Sequence, residues 1–204
     1  MSKTEADPAL EALIERSSEL KHDLVEFACS PKMQRHLSRF MEQAVLEYGL
    51  MEEGEAADTV DRFVLQHRLP NGKSVLDLFL SARPDLSDED RAMLRSWGDP
   101  VDGVFEVQSK DGEGVLLLNL IDDLEYRAYS NMGAAAFRKI PKGGFVYARL
   151  VPVPPIDGAW LVSGYMSVFP KSSAADVAQV ALQAAMEAPE MVYRIPKSSS
   201  RAGR

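Results

Sequence analysis

His22 and Cys29 lie seven residues apart in a stretch of helical spacing, so they share a face, and His36 follows just past the Ser30-Pro31 corner. Nitrogen and sulfur ligands of this kind suit zinc, which takes four at tetrahedral geometry. The chain has a single cysteine, however, and Val25-Glu26-Phe27-Ala28 before it is the setting of a buried thiol acting as a small hydrophobe. Glu26 also opposes the positive field that a thiolate nucleophile needs. Neither a metal site nor a cysteine nucleophile is expected.

Serine hydrolysis wants a nucleophile elbow such as G-x-S-x-G, with a histidine and an acid to activate it. Ser163-Gly164 lacks the first glycine, and no histidine follows His67. His67 itself trails the apolar face of its own helix and reads as a histidine at the edge of the core. Asp122-Asp123 is a carboxylate pair, but adjacent acids between two strands are what a turn requires. Pro141-Lys142-Gly143-Gly144 lacks the G-x-x-x-x-G-K-[ST] spacing and precedes a strand, so its glycines are read as supplying positive φ. No catalytic residue and no cofactor follow from these patterns.

Arg138, Lys139, Lys142 and Arg149, interleaved with Phe137, Phe145 and Tyr147, form the most suggestive group. Cations and aromatics on one face of a small barrel bind single strands through backbone attraction and base stacking. Residues 101–170 nevertheless hold six basic and eight acidic residues, which is unlike a nucleic-acid binder.

The elements that carry these residues change character near Pro100. Before it the apolar spacing is helical. Pro8 opens a helix whose stripe is Leu10, Leu13, Ile14, Leu24 and Ala28, interrupted by Ser17 and Lys21. Ser30-Pro31 caps the next, where Met33, Leu37, Phe40, Met41, Ala44, Val45 and Tyr48 give the cleanest amphipathic pattern, stopped by Gly49. Glu52–Glu55 reads as an acidic linker before a shorter helix from about Thr59 to His67. A buried helix is expected over Val75–Leu80, and another after Ser87, with Asp88, Glu89 and Asp90 in its first turn. From Val104 the period is two. Strands are expected over Val104–Gln108, Val115–Ile121, Glu125–Ser130, Phe145–Val153 and Trp160–Phe169, with a short helical insertion within Asn131–Ile140. Ser173 and Asp176 start a last helix with Val177, Val180, Ala181 and Ala184 on one face.

The expected fold is therefore α+β. A helical region (1–100) precedes a small five-stranded antiparallel β-barrel-like domain (101–170), a C-terminal helix (171–190) and a basic tail (191–204). Apolar residues make up 46% and charged residues 26% of the 204 positions, an ordinary globular composition that excludes wholesale disorder. The net charge of −8 sits entirely in residues 1–100, which hold 12 basic and 20 acidic residues. That half repels nucleic-acid phosphates. The final RIPKSSSRAGR carries four positive charges and no negative one, and is expected to be a solvated, mobile end. With apolar runs far short of the ~20 residues of a membrane span and an acidic helical N-terminus, the chain reads as cytoplasmic with no membrane partner.

Several segments carry a family resemblance. They are Arg68-Leu69-Pro70-Asn71-Gly72, Val75-Leu76-Asp77-Leu78-Phe79-Leu80, Trp97, Gly103-Val104-Phe105-Glu106-Val107 and Leu118-Asn119-Leu120-Ile121-Asp122. Tyr126, Gly143, Ala148-Arg149-Leu150-Val151-Pro152 and Trp160-Leu161-Val162-Ser163-Gly164 complete them. Together, from Phe63 to Pro170, they resemble a helical-plus-barrel module of uncharacterised bacterial proteins, some of which carry a SEC-C zinc motif. The resemblance implies the architecture. The closely spaced cysteines of that zinc motif are absent, so no zinc function is carried over. The reading that remains is a non-enzymatic interaction or adaptor module with a protein partner, open to forming a homodimer. Its alternatives are nucleic-acid binding through the basic edge and an enzyme whose site is assembled from distant residues.

Overall fold

The computed structural model describes residues 8–111 and 113–187. Five helices come first: α1 (Pro8–Cys29), α2 (Pro31–Tyr48), α3 (Glu53–Leu65), α4 (Val75–Ala82) and α5 (Asp88–Ser96). Five strands follow: β1 (Val101–Lys110), β2 (Val115–Asn119), β3 (Glu125–Tyr129), β4 (Phe145–Pro152) and β5 (Ala159–Phe169). A short 3-10 helix, Gly133–Phe137, lies between β3 and β4, and α6 (Ala174–Glu187) ends the described chain. The basic tail falls outside the described residues, as do Pro189 and the burial of Val180 and Ala184 on the expected α6 face.

Local chemistry explains most boundaries. Ser87 Oγ accepts from the Asp90 amide at 3.1 Å and starts α5, while Ser74 and Asp77 form a reciprocal capping box that makes Val75–Ala82 a helix. Two expectations need correction. Glu52–Glu55 is not a linker, because α3 begins at Glu53. The Glu52 amide donates to the Glu55 carboxylate at 2.9 Å, and acids in a first turn complement the helix dipole. Ser30 precedes α2 but does not cap it with its side chain; its hydroxyl instead donates back to the Phe27 carbonyl at 2.6 Å.

The strands hydrogen-bond in the order β1-β2-β3-β5-β4 and close into a barrel through the β1–β4 pair. The sheet is not wholly antiparallel: β3 and β5 run parallel, Ala128 opposite Trp160. A closed ring with an odd number of strands cannot alternate direction all the way round, so one parallel pair is unavoidable. The parallel contact falls where β4 and its connections separate the two strands in sequence.

Inward-facing Phe105, Val107, Leu117, Tyr126, Val146, Leu150 and Trp160 fill the barrel, and Phe137 and Ile140 pack into the same core. A second core lies between the helices and the outer face of the sheet. Leu20, Leu24, Phe63, Phe79 and Trp97 pack there with Tyr129, Val151, Val153, Ala159 and Leu161. On the β1–β4 side, Val177 and Ala181 of α6 cover Val104, flanked by Leu120 and Phe145. Among the described residues no helix is long and apolar enough to cross a membrane.

Candidate functional site

Where α1 and α3 cross the outer face of β1, β4 and β5, the packing is ionic rather than apolar. Arg149 on β4 is fully buried. Its Nη1 donates to Asp61 Oδ2 at 2.9 Å, and its Nε lies 2.7 Å from Asp102 Oδ1. Asp58 Oδ1 is 3.2 Å from the same Nη1. Lys21 of α1 completes the group: its ammonium pairs with Asp61 and donates to Ser163 Oγ at 2.9 Å. Ser163 in turn donates to Asp61, within 3.1 Å of both carboxylate oxygens. At the outer margin Arg62 reaches Asp58 at 3.3 Å and donates to the Tyr147 hydroxyl at 3.1 Å.

Gly164, at φ 70°, turns β5 at this point, and a Cβ there would lie 3.2 Å from Asp61. The β4–β5 register also shifts between Tyr147 and Arg149. Extra residues in β5 thus make room for α3.

The electrostatics follow from this geometry. Burial opposes the charge on Asp61, but Lys21 and Arg149 outweigh it and hold the carboxyl below the ordinary range. Burial pushes the Asp58 carboxyl up, and Arg149 and Arg62 only partly offset it. Burial likewise lowers the Lys21 ammonium against the pull of Asp61, and raises the Tyr147 phenol. Lysine beside serine with a depressed pKa is the grouping of a Ser–Lys nucleophile. Here the Ser163 hydroxyl is buried and donates to Asp61, and the lysine charge is matched by the same carboxylate. The group holds α1 and α3 on the sheet.

Above it opens a cleft of about 450 Å³ between α2, α3 and the β4–β5 edge. Asp58, Arg62 and Tyr147 form its polar floor, and Phe40, Ala44, Tyr48, Met51 and Tyr165 its apolar walls. Glu47 and Glu55 stand on the rim, and both are exposed. The Tyr165 ring lies directly over Gly54 of α3, where a Cβ would approach it to 2.7 Å. Tyr48 is 67% exposed and Tyr165 48%. The volume is that of a ligand pocket, with apolar walls and a few convergent polar groups. The lining contains no histidine or cysteine.

The residues singled out in sequence are scattered by the fold. Arg138, Lys139 and Lys142 are exposed on the connection into β4. Arg149 does not join them: it is buried among three carboxylates, because its side of β4 faces α3. Phe137 is buried, and Phe145 packs against the α6 cluster rather than offering a stacking face. Two lysines not singled out, at the end of β1 and after β5, lie against this connection instead. Lys110 donates to the carbonyls of Phe137 and Arg138 at 2.9 and 3.2 Å, and the Lys171 ammonium lies against Gly143.

Cys29 is exposed rather than buried, since it falls on the outer side of the last turn of α1. Among the described residues no group of three His, Cys, Asp or Glu is arranged to hold a metal. His67 stacks on Phe63 at 5.4 Å and tilts against Phe40 at 4.7 Å; burial, aided by His36, lowers its pKa. Asp122 is a turn residue that accepts from the Leu124 amide and the Tyr126 hydroxyl, and Asp123 has φ 55°. Gly143 has φ 69°, the conformation its turn requires.

The buried group itself was missed, though its signals were present. Ser17 and Lys21 break an otherwise apolar helix stripe, and both side chains face inward. Arg149 is a single charge inside Ala148–Val151, a run otherwise apolar, and such a charge needs a buried partner. Compared with family models, with curated proteins and with solved structures, the chain has no significant match.

Proposed function

We propose that this protein is a non-enzymatic interaction module whose cleft between α2, α3 and the β4–β5 edge receives a basic, amphipathic segment of a protein partner. One observation carries the reading: the most regular amphipathic helix of the chain, α2, is only half covered. Met33 and Ala44 are buried, whereas Tyr48 of the same helix lines the cleft and stays exposed. Contiguous apolar surface rimmed by charge marks interaction sites. Tyrosines contribute contact area at low entropic cost, which suits them to such a surface. The acidic rim of Glu47 and Glu55 selects for lysine or arginine in the partner.

The test is selection from a displayed random-peptide library on the full chain. Enriched peptides are expected to combine aromatic or aliphatic anchors with basic residues. They should lose binding to the Tyr48→Ala and Tyr165→Ala variants, with each variant's fold checked by its far-UV spectrum and urea midpoint. Enrichment indifferent to both substitutions, or none at all, refutes the reading.

Nucleic-acid binding is the second reading, supported by the placement of Lys110 and Lys171 with Arg138, Lys139 and Lys142. In five-stranded Greek-key barrels of the OB type, oligonucleotides lie across strands 2 and 3. Here that face presents Leu116, Leu118, Glu125 and Arg127, without an aromatic platform. Binding would rest on phosphate attraction alone, falling steeply with salt. It should then weaken in a Lys139→Glu, Lys142→Glu variant.

A further inference from the structure

The cleft accepts a basic segment with apolar anchors, and the chain carries one itself. We infer that residues Tyr193–Arg201, YRIPKSSSR, occupy the cleft in cis and compete with the partner segment. This rests on the reading of the cleft given above and names a built-in regulator of that same site.

Chemistry and reach support it independently. Tyr193 and Ile195 offer two apolar anchors, and Arg194, Lys197 and Arg201 three positive charges with no acid among them. They match a surface that is aromatic within, at Tyr48 and Tyr165, and acidic at its rim, at Glu47 and Glu55.

The path is short enough. The start of α6, through Ser173, Asp176 and Val177, lines a small hollow together with Tyr147 and Ser167, and those two residues also line the cleft. The helix has 14 residues, so its far end lies about 21 Å away at 1.5 Å per residue. Returning over that distance takes about six extended residues at ~3.5 Å each. Counted from Ala188, six residues end at Tyr193, so Tyr193–Arg201 are within reach of the cleft.

The tether makes even weak contact effective. A segment with an intrinsic Kd of about 0.1 mM, held at an effective concentration of about 1 mM, occupies its site about ten to one and weakens a competing peptide about tenfold.

The experiment uses the full chain with Cys29→Ser and a nitroxide on Ala202→Cys, read by paramagnetic broadening of amide signals. Broadening of Met51 and Tyr165 is expected, and should persist when labelled chain is diluted with unlabelled chain. It should be lost in Glu47→Lys and in Arg194→Glu, Lys197→Glu, and return when these charge reversals are combined. In parallel, a library-selected peptide should bind the Tyr193→Ala, Arg194→Glu variant about tenfold more tightly than the unaltered chain.

A peptide that binds both forms equally, with no broadening, overturns the cis occupant and leaves the cleft reading standing. No peptide binding even to the tail variant overturns both. Broadening that vanishes on dilution places the segment on a second copy and overturns the intramolecular assignment.

Discussion

Arg149 is the residue on which the helices and the sheet depend. Three carboxylates, Asp58, Asp61 and Asp102, converge on its guanidinium, and Lys21 and Arg62 complete the balance from the margins. Removing one partner of a buried ion pair leaves the others uncompensated and costs about 3–5 kcal/mol. Arg149→Met is expected to lose that much in urea unfolding. Arg149→Lys should recover only part of it, because an ammonium cannot fork onto two carboxylates at once. A loss within the ordinary surface range would show that water reaches the group.

The two α3 acids at this site should respond oppositely to pH. Asp61 titrates below its unfolded value of about 3.9, so on acidification the unfolded chain takes up the proton first. Its contribution is complete above that value and is lost as pH falls through the folded pKa. Asp58 is raised, so the folded chain protonates first, and acidification relieves a penalty instead. Asp61→Asn is therefore expected to lower the urea midpoint at pH 7 and flatten its decline below about pH 4. Asp58→Asn should cost less at pH 7. Equal costs and parallel pH profiles would contradict this assignment.

At the scale of elements, α3 couples stability to binding through one glycine. Replacing a glycine inside a helix by alanine commonly favours the helix by up to about 1 kcal/mol. At Gly54 the new Cβ would also displace the Tyr165 ring, which forms a wall of the cleft. Gly54→Ala is expected to leave the urea midpoint unchanged or raised while weakening a cleft-binding peptide severalfold. Unweakened binding would place the docking surface elsewhere. Gly164→Ala should behave differently, because φ 70° strains any side chain and Asp61 blocks the space. Its cost should exceed 1 kcal/mol in urea unfolding.

The elements themselves were largely legible. Apolar spacing located all five strands and the helices around them, because each buries one face. The exceptions share a cause: polar residues whose hydrogen-bond or ionic partners an apolar pattern does not show. Glu52–Glu55 looks like linker until the carboxylates are seen capping a helix, and Lys21 looks like a flaw until Asp61 is opposite it. The cleft was illegible for a different reason. Phe40, Tyr48, Met51 and Tyr165 come from three separate elements, and a helix stripe does not reveal which of its positions the fold leaves uncovered. The parallel β3–β5 pair was hidden because alternation marks strands without their neighbours, although an odd, closed ring requires one such pair.

Across the whole molecule, the helices and the barrel have no separate boundary to open along. Their shared core joins Leu24, Phe63 and Trp97 to Val151, Val153 and Leu161, and the Trp97 indole donates to the Pro152 carbonyl at 3.2 Å. Arg149 and Lys21 span the same junction. Exposing this surface would uncover apolar area and unpaired charge together, so partial unfolding at Pro100 should be disfavoured. The two tryptophans make this measurable, since Trp97 reports the shared core and Trp160 the barrel interior. In the single-tryptophan variants Trp97→Phe and Trp160→Phe, the fluorescence transition in urea is expected to overlay that variant's own far-UV transition. A barrel signal persisting after helical signal is lost would mean that the barrel holds without its helices. The buried ion pairs would then fix how α1 and α3 are placed on the sheet rather than link its unfolding to theirs, and Arg149→Met would shift the helical transition alone.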